Sequence, residues 1–141
     1  MKILINRGNI VNCKTYPFWD ELLELLIEKS NIPVIEIKEI KGILPEQEII
    51  DLVNWSDIWI ATDSFLQHLC AYHKLNKGIV LWGKSNPVHF GYDTNINLYK
   101  DKKYFRVNQF RDWVNEWNDI AICPDAFVSP EVVLKAIEDM V

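Results

Sequence analysis

The chain has 141 residues, a net charge of −5 and a pI of about 5.2. Hydrophobic residues make up 49% of it, which is enough apolar surface for the core of one domain. The acidic balance argues against nucleic acid as the main partner, because phosphate binding needs a basic face. No apolar run approaches the roughly 18 residues that span a membrane. The first ten residues are also too short in apolar length for a signal peptide.

The three cysteines, Cys13, Cys70 and Cys123, are widely spaced and odd in number. This spacing does not suit a disulfide framework and favours a reducing, cytoplasmic location. The chain contains no Cys-x-x-Cys pair, and His68 and His73 are five residues apart, so they do not share a helix face. We therefore expect neither a metal site nor a cofactor.

Apolar runs alternate with amphipathic segments along most of the chain. The runs predict strands at 2–6, 33–37, 57–61 and 78–82, with a weaker candidate at 96–99. The amphipathic segments predict helices at 16–30, with Pro17 at its start, and at 45–56, 63–75 and 129–141. Residues 100–127 fit no single pattern, although "FRDWVNEWN" within them reads as one or two helical turns. Strands alternating with helices predict parallel β-α-β units.

The predicted fold class is therefore α/β. We expect residues 1–141 to form a single Rossmann-like domain, with an open, mostly parallel sheet of about five strands and helices on both faces. Ligands of such sheets bind beyond the carboxyl ends of the strands. That rule directs attention to four loops, at 7–16, 38–45, 61–64 and 83–94.

Asp63 and Ser64 follow the third predicted strand and open a helix. Both residue types are good helix caps, so a purely structural role is one interpretation. The other is a phosphate site, because a helix N-terminus presents unpaired N–H groups and a positive dipole end. Asp63 would repel phosphate, so it would fix the turn or accept hydrogen bonds from hydroxyl groups. His68 lies four residues after Ser64, on the same helix face, and is a candidate for the same site.

Two further loops carry candidates. Arg7 and Lys14 follow the first predicted strand, where they are either solvated surface charges or an anion-recognition pair opposite the helix end. Gly83 and Ser85 follow the fourth predicted strand. Glycine there either makes an ordinary turn or lets the backbone approach a ligand closely.

Four stretches resemble motifs of one family. The stretch "KTYPFWDELLELL" is similar to the Lys-x-Trp-Pro-x-x-x-Trp-x-x-Leu segment that begins the C-terminal half of family 9 glycosyltransferases, the ADP-heptose:lipopolysaccharide heptosyltransferase group. "TDSFLQHLCA" resembles the family's Asp-Thr/Ser-Gly-x-x-His-Leu-Ala motif. "GIVLWGKSNP" resembles its next strand and Gly-Pro/Gly-Thr-x-Pro loop, and "SPEVVLKAI" its closing helix. In order and spacing the resemblance covers residues 2–141.

The resemblance implies a GT-B architecture, in which two Rossmann-like domains face each other across a cleft and the C-terminal one binds a nucleotide-sugar donor. It implies that Lys14 contacts donor phosphate, that Asp63, Ser64 and the following N–H groups hold the sugar and diphosphate, and that His68 supports them. A family glutamate that binds the nucleoside has its counterpart in Glu36 or Glu39. The expected donor-binding set is Arg7, Lys14, Glu39, Asp63, Ser64, His68, Gly83 and Ser85.

The chain departs from the family pattern in two respects. Phe65 stands where the motif has glycine, which could limit the approach of phosphate to the backbone. Because the chain also begins at the first strand of the donor half, the resemblance leads us to expect that the N-terminal acceptor domain, which supplies the family's catalytic base, is absent. We assign no catalytic residue.

Three functions follow as hypotheses. The first is a glycosyltransferase-type domain that binds a nucleoside-diphosphate sugar, works without a metal and serves lipopolysaccharide or polysaccharide biosynthesis. It would act with an acceptor-domain protein, as a homo-oligomer, or as part of a longer natural protein. The second is a non-catalytic nucleotide or nucleotide-sugar binding module. The third is a small α/β interaction protein that has lost its ligand site.

Overall fold

The computed structural model describes residues 1–8, 12–106 and 121–141. Within them the chain forms an α/β domain around a five-stranded, wholly parallel sheet. The strands are β1 (Lys2–Asn6), β2 (Glu36–Glu39), β3 (Ile58–Thr62), β4 (Gly78–Leu81) and β5 (Ile96–Leu98). The helices are α1 (Trp19–Glu28), α2 (Glu46–Trp55), α3 (Phe65–Tyr72), α4 (Pro87–Phe90) and α5 (Pro130–Glu138). Short 3-10 turns lie at Asn12–Lys14, Lys102–Tyr104 and Pro124–Ala126.

The strand order is β2-β1-β3-β4-β5, so the order reverses between β1 and β3. Register pairs Asn6 at the end of β1 with Ala61 on β3, and Thr62 at the end of β3 with Leu81 on β4. The carboxyl ends of these three strands therefore lie side by side. In parallel α/β sheets of this order, the crevice at the reversal is where ligands bind.

Each face of the sheet carries its own apolar cluster. Ile3 and Ile5 of β1 point to the face covered by α1 and α5, whereas Leu4 points to the face covered by α2 and α3. This alternation is the period-2 pattern of a strand that is buried on both sides. The predicted single α/β Rossmann-like domain, with a mostly parallel sheet and helices on both faces, is confirmed.

Tyr16 links the segment after β1 to the C-terminal part of the chain. Its hydroxyl donates a hydrogen bond to the carbonyl oxygen of Val128 at 3.0 Å, and its ring packs edge-on against Trp19 and Phe127. The side chain is 1% exposed. Aromatic contacts of this geometry add to the free energy gained from burial alone.

The second strand was predicted at 33–37, but β2 begins three residues later, at Glu36. Pro33 cannot donate a ladder hydrogen bond, which disfavours strand pairing there. Pairing begins where the N–H of Glu36 donates to the carbonyl oxygen of Met1 at 2.9 Å. As a consequence, Glu39 ends β2 and does not lie in the following loop.

Helix boundaries also differ from the prediction. The first helix begins at Trp19, two residues after Pro17, and the third ends at Tyr72, three residues before the predicted end. The predicted loop at 83–94 contains a short helix, α4, because Asn86 accepts a hydrogen bond from the N–H of Val88 and Pro87 starts the turn. The helical turn predicted within "FRDWVNEWN" lies outside the described residues.

None of the helices in the described part of the chain has the length and apolar character needed to cross a bilayer.

Candidate functional site

An ion pair spans the reversal point of the sheet. Lys14 Nζ lies 2.9 Å from Asp63 Oδ2, which joins the segment after β1 to the residue that follows β3. The Asp63 side chain is only 6% exposed and that of Lys14 is 21% exposed. A pair this poorly solvated is held more strongly than a surface salt bridge, because less water screens it.

Asp63 is also held from the other side by Gln67. The Nε2 atom of Gln67 donates to Asp63 Oδ1 at 2.9 Å, and the glutamine side chain is fully buried. The carboxylate thus contacts both a cation and an amide. Gln67 was not predicted as a site residue, although an Asp and a Gln four residues apart at the start of a helix is the spacing at which such side chains meet.

Ser64 occupies the N-cap position of α3, but its side chain makes no capping hydrogen bond. Its hydroxyl instead donates to the carbonyl oxygen of Thr62 at 3.2 Å. The first-turn N–H groups of α3 are therefore not satisfied by the side chain that usually takes them. The purely structural capping role considered for Ser64 is not observed.

Phe65 does not cover the start of α3 in the way that its place in the motif suggested. The side chain is 50% exposed and lines an apolar groove with Ile43 and Leu44, which belong to the loop between β2 and α2. The groove has a volume of about 350 Å³. Ile43 is fully exposed, and a large apolar side chain so exposed beside a second apolar surface is typical of a ligand or partner contact.

Arg7 and Glu39, predicted separately, are brought into contact at the same sheet edge. Arg7 Nε lies 2.7 Å from Glu39 Oε1, and Arg7 Nη1 donates to Asp20 Oδ1 at 2.7 Å. These contacts, the bond to Asp20 foremost, raise the pKa of Arg7. The guanidinium group thus ties the ends of β1 and β2 to the first turn of α1.

His68 contacts a different part of the molecule. Its Nδ1 atom lies 2.8 Å from the hydroxyl of Tyr92, in the connection between α4 and β5, and the two rings pack edge-on. His68 is exposed on α3. It follows Ser64 on the helix as expected, but its hydrogen bond is directed to Tyr92 and not to the other predicted site residues.

The segment that follows β4 borders the candidate site on the side away from β1. A side chain at Gly83 would meet Phe127, because a Cβ atom there would lie 2.6 Å from the phenylalanine ring. Ser85 is 1% exposed, and its hydroxyl makes no hydrogen bond to any described part of the chain. The α4 residue Phe90 approaches Lys14, whose Nζ lies 5.9 Å from the ring centroid. Lys14 therefore reaches across the end of β3 from β1 toward β4.

The buried thiol of Cys13 lies within electrostatic range of three cations. Cys13 is fully buried, and burial raises its pKa, while the positive charges of Lys14, Arg106 and Lys84 each act to lower it. Charges from three separate segments therefore lie within electrostatic range of one atom. Neither Lys84 nor Arg106 was predicted as a site residue, since only the fold brings residue 106 back to this edge.

No candidate metal site lies among residues 1–8, 12–106 and 121–141. No group of three or more His, Cys, Asp or Glu side chains there could hold a metal ion.

The structure thus brings four of the eight predicted residues together at one edge as two ion pairs, with the start of α3 and the segment after β4 beside them. No protein-family model, curated protein or solved structure matches this chain. The resemblance to family 9 glycosyltransferases therefore rests on the four quoted stretches of sequence.

Proposed function

We propose that the chain is a glycosyltransferase-type domain that binds a nucleoside-diphosphate sugar at the reversal point of its sheet. The observation that carries the proposal is the Lys14–Asp63 pair, 2.9 Å apart and directly before the start of α3. It brings together in one crevice a cation, a carboxylate that can accept from hydroxyl groups, and a helix N-terminus that the Ser64 side chain does not cap. These are the groups that a sugar linked to a diphosphate requires.

Each group has a distinct task in this proposal. Lys14 and the first-turn N–H groups of α3 bind phosphate oxygens, so the ion pair between Lys14 and Asp63 loosens when the donor arrives. Asp63, still held by Gln67, then accepts hydrogen bonds from sugar hydroxyls. The apolar groove beside Phe65 and Ile43 takes the flat face of the nucleobase, because apolar and aromatic side chains suit such rings.

The proposed reaction is a hexosyl or heptosyl transfer without a metal, in lipopolysaccharide or polysaccharide biosynthesis. Lys14 and the start of α3 stabilise the negative charge of the departing diphosphate. An acceptor-domain protein or a second copy of this chain supplies the acceptor site and the base. The three cysteines, all free, are consistent with a cytoplasmic location, where nucleotide sugars are the expected donors.

A non-catalytic nucleotide-sugar binding module is the second candidate. It is favoured by the state of the carboxylates at this edge, since Asp63 pairs with Lys14 and Glu39 pairs with Arg7. Both carboxylates already contact cations, so neither is positioned to take a proton from an acceptor hydroxyl. Such a module would bind the same donor through the same residues and release it unchanged.

Titration of the protein with ADP-, UDP- and GDP-sugars tests both candidates. We expect one donor class to bind, and expect Lys14→Ala and Asp63→Ala each to weaken it by roughly tenfold, the loss of one charge-assisted hydrogen bond. Lys77→Ala, which removes an exposed lysine before β4, is the control. No binding at millimolar donor, or binding that both variants leave intact, would reject the proposal.

A second measurement separates the two candidates. The bound donor is incubated with and without candidate acceptor-domain proteins, and release of free nucleoside diphosphate is followed. Turnover that requires a partner protein supports the transferase. Stable binding without turnover under every combination supports the binding module.

A further inference from the structure

The strand β2 forms one edge of the sheet, and in the described part of the chain no strand pairs with its outer side. The N–H of Glu36 points inward, because it donates at 2.9 Å to the carbonyl oxygen of Met1, the residue before β1. Backbone groups alternate in direction along a strand, so those of Ile37 and Glu39 point outward. We call this outward side of β2 the β2 edge. Outward backbone donors and acceptors on an edge strand form a template for another strand.

Apolar side chains are exposed next to the β2 edge. Ile27 of α1 is 73% exposed, and Val34, which precedes β2, is 66% exposed. Ile27 lines a groove of about 460 Å³ together with Ile35 and Ile37, and these last two also pack against the apolar cluster under α1. The apolar surface thus continues from the core to solvent at this edge. Large exposed apolar side chains in such a position are typical of a protein–protein contact.

The charged side chains of β2 lie on the other face of the strand. Glu36 and Lys38 are both exposed, and they share one face because they are two residues apart. Lys38 shows which face this is, since its Nζ atom lies 4.3 Å from the centroid of the Trp55 ring in α2. The β2 edge therefore has an apolar border on the α1 side, and one negative and one positive charge on the α2 side.

We propose that a second copy of this chain occupies the β2 edge, and that the two strands pair antiparallel about a two-fold axis at Ile37. In a symmetric dimer the same surface of each copy meets itself. The outward N–H and C=O groups of Ile37 in one copy then bond to those of Ile37 in the other, as in a hydrogen-bonded pair of an antiparallel ladder. Glu36 of each copy lies opposite Lys38 of the other. The two sheets become one continuous sheet.

The charges select this register over its two neighbours. An axis at residue 36 would place Glu36 opposite Glu36, and an axis at residue 38 would place Lys38 opposite Lys38. Like charges directly opposite each other destabilise a strand pair, whereas opposite charges stabilise it. Charges on an edge strand commonly prevent pairing between copies. The order Glu-x-Lys has the reverse effect here, because a two-fold axis at residue 37 matches each charge with its opposite.

An exchange of the two charges tests this pairing. Sedimentation equilibrium measures the dimer dissociation constant of the wild type, Glu36→Lys, Lys38→Glu and the double variant Glu36→Lys/Lys38→Glu. The two single variants are also measured as an equimolar mixture. Lys77→Glu is the control, because it makes the same change of net charge as Lys38→Glu at an exposed position before β4. Thermal denaturation of every variant checks that the fold is kept.

We expect the wild type to be a dimer at micromolar concentration. Each single variant places like charges in both cross-strand pairs and should raise the dissociation constant roughly tenfold. The double variant restores two pairs of opposite charge and should recover most of that loss. The mixture should form a heterodimer, because a chain with two lysines then faces a chain with two glutamates. The control should match the wild type.

A wild type that stays monomeric at submillimolar concentration would overturn the inference and leave the β2 edge to a different protein or to solvent. A dimer that neither single variant weakens would also overturn it, because the interface would then lie elsewhere. So would a loss that neither the double variant nor the mixture recovers, since the two charges would then not face each other.

The dimer and the proposed donor site are tested separately. The inference does not rest on the proposed function, and none of the variants changes Lys14 or Asp63. If the charge exchange behaves as expected and no nucleotide sugar binds, the inference stands and the proposed function fails. If nucleotide sugars bind to a protein that is monomeric at every concentration, the inference is wrong and the proposed function stands.

Discussion

Lys14 and Asp63 are joined 2.9 Å apart across the point where the order of the sheet reverses. Forty-nine positions of sequence separate them, and the ion pair is the direct link between the segment after β1 and the start of α3. Because Asp63 is almost completely buried, its charge depends on its partners within the protein. The pair therefore affects stability as well as any ligand that replaces one of its members.

Removal of one member of this pair should destabilise the fold. Lys14→Met leaves the Asp63 carboxylate without its cation, and we expect the free energy of unfolding to fall by about 1–3 kcal/mol. The double variant Lys14→Met/Asp63→Asn should be more stable than the sum of the single effects predicts, since both charges are then absent. Urea unfolding of the four proteins measures the coupling. Strict additivity would show that the pair contributes nothing.

Gln67 provides a test of the second contact to Asp63. Gln67→Glu replaces a donor 2.9 Å from Asp63 Oδ1 with a second carboxylate, and we expect a loss of about 2–3 kcal/mol at neutral pH. Like charges raise the pKa of one group of such a pair. The loss should therefore diminish as the pH is lowered and the pair takes up a proton.

The matched variant Gln67→Met removes the same hydrogen bond without adding charge. We expect it to cost about 1–2 kcal/mol, with no recovery specific to acid. Urea unfolding at neutral and mildly acidic pH compares the two. If Gln67→Glu showed no recovery relative to Gln67→Met, the buried contact between residues 63 and 67 would be in doubt.

Gly83 should be intolerant of a side chain for a packing reason. A Cβ atom there would lie 2.6 Å from the ring of Phe127, so Gly83→Ala is expected to destabilise by about 1–3 kcal/mol through overpacking. Adding Phe127→Leu should recover part of the loss, because the smaller side chain makes room. Gly8→Ala, whose nearest neighbour would lie at 3.4 Å, is the control in thermal unfolding. A Gly83→Ala protein as stable as the wild type would contradict this packing.

Alkaline pH should destabilise the protein through two buried groups. Burial raises the pKa of Cys70 from 9.0 to about 12, and burial also raises the pKa of Tyr16 above its ordinary value of 10.0. A raised folded-state pKa means that the native state holds protons that the unfolded state releases. Stability is therefore fully present below the unfolded-state pKa values and declines as the pH rises above them.

For each group, we expect the free energy of unfolding to fall by up to about 1.4 kcal/mol per pH unit. Cys70→Ala should remove the part of the pH dependence that begins near pH 9, and Tyr16→Phe the part that begins near pH 10, because these are the ordinary pKa values of the two groups. Urea unfolding across this range measures both slopes. If the slopes were identical in the wild type and both variants, groups other than Cys70 and Tyr16 would be responsible for the pH dependence.

The sequence predicted β1, β3 and β4 well because these strands are short apolar runs buried on both sides. It misplaced β2, because the apolar run at 33–37 includes Pro33, and the ladder starts only where Met1 can accept a hydrogen bond. The loops at the carboxyl ends of the strands, and with them Lys14 and Asp63, could be predicted from the positions of the strands in the sequence. Strand positions do not specify which charges pair, so the contacts of Arg7 with Glu39 and Asp20 became visible only in the structure.

Residues that reach the site only because the chain folds back on itself could not be predicted from the sequence. A backbone hydrogen bond joins Arg106 to Lys84, 22 positions earlier, and no local sequence pattern predicts that bond. Gln67 could have been found, because its spacing from Asp63 is that of interacting side chains on a helix. Its full burial, which makes the contact significant, depends on packing against the sheet.

The hydrogen bond from Tyr16 to Val128 joins residues 112 positions apart. On a ribosome, the residues that carry Lys14 emerge long before the segment that holds them in place. Contacts of such separation form late, because a long loop must close before they can contribute. We therefore expect the crevice at the carboxyl ends of β1 and β3 to form in the last step of folding. Ligand binding by a nascent or refolding chain would then report completion of the whole domain.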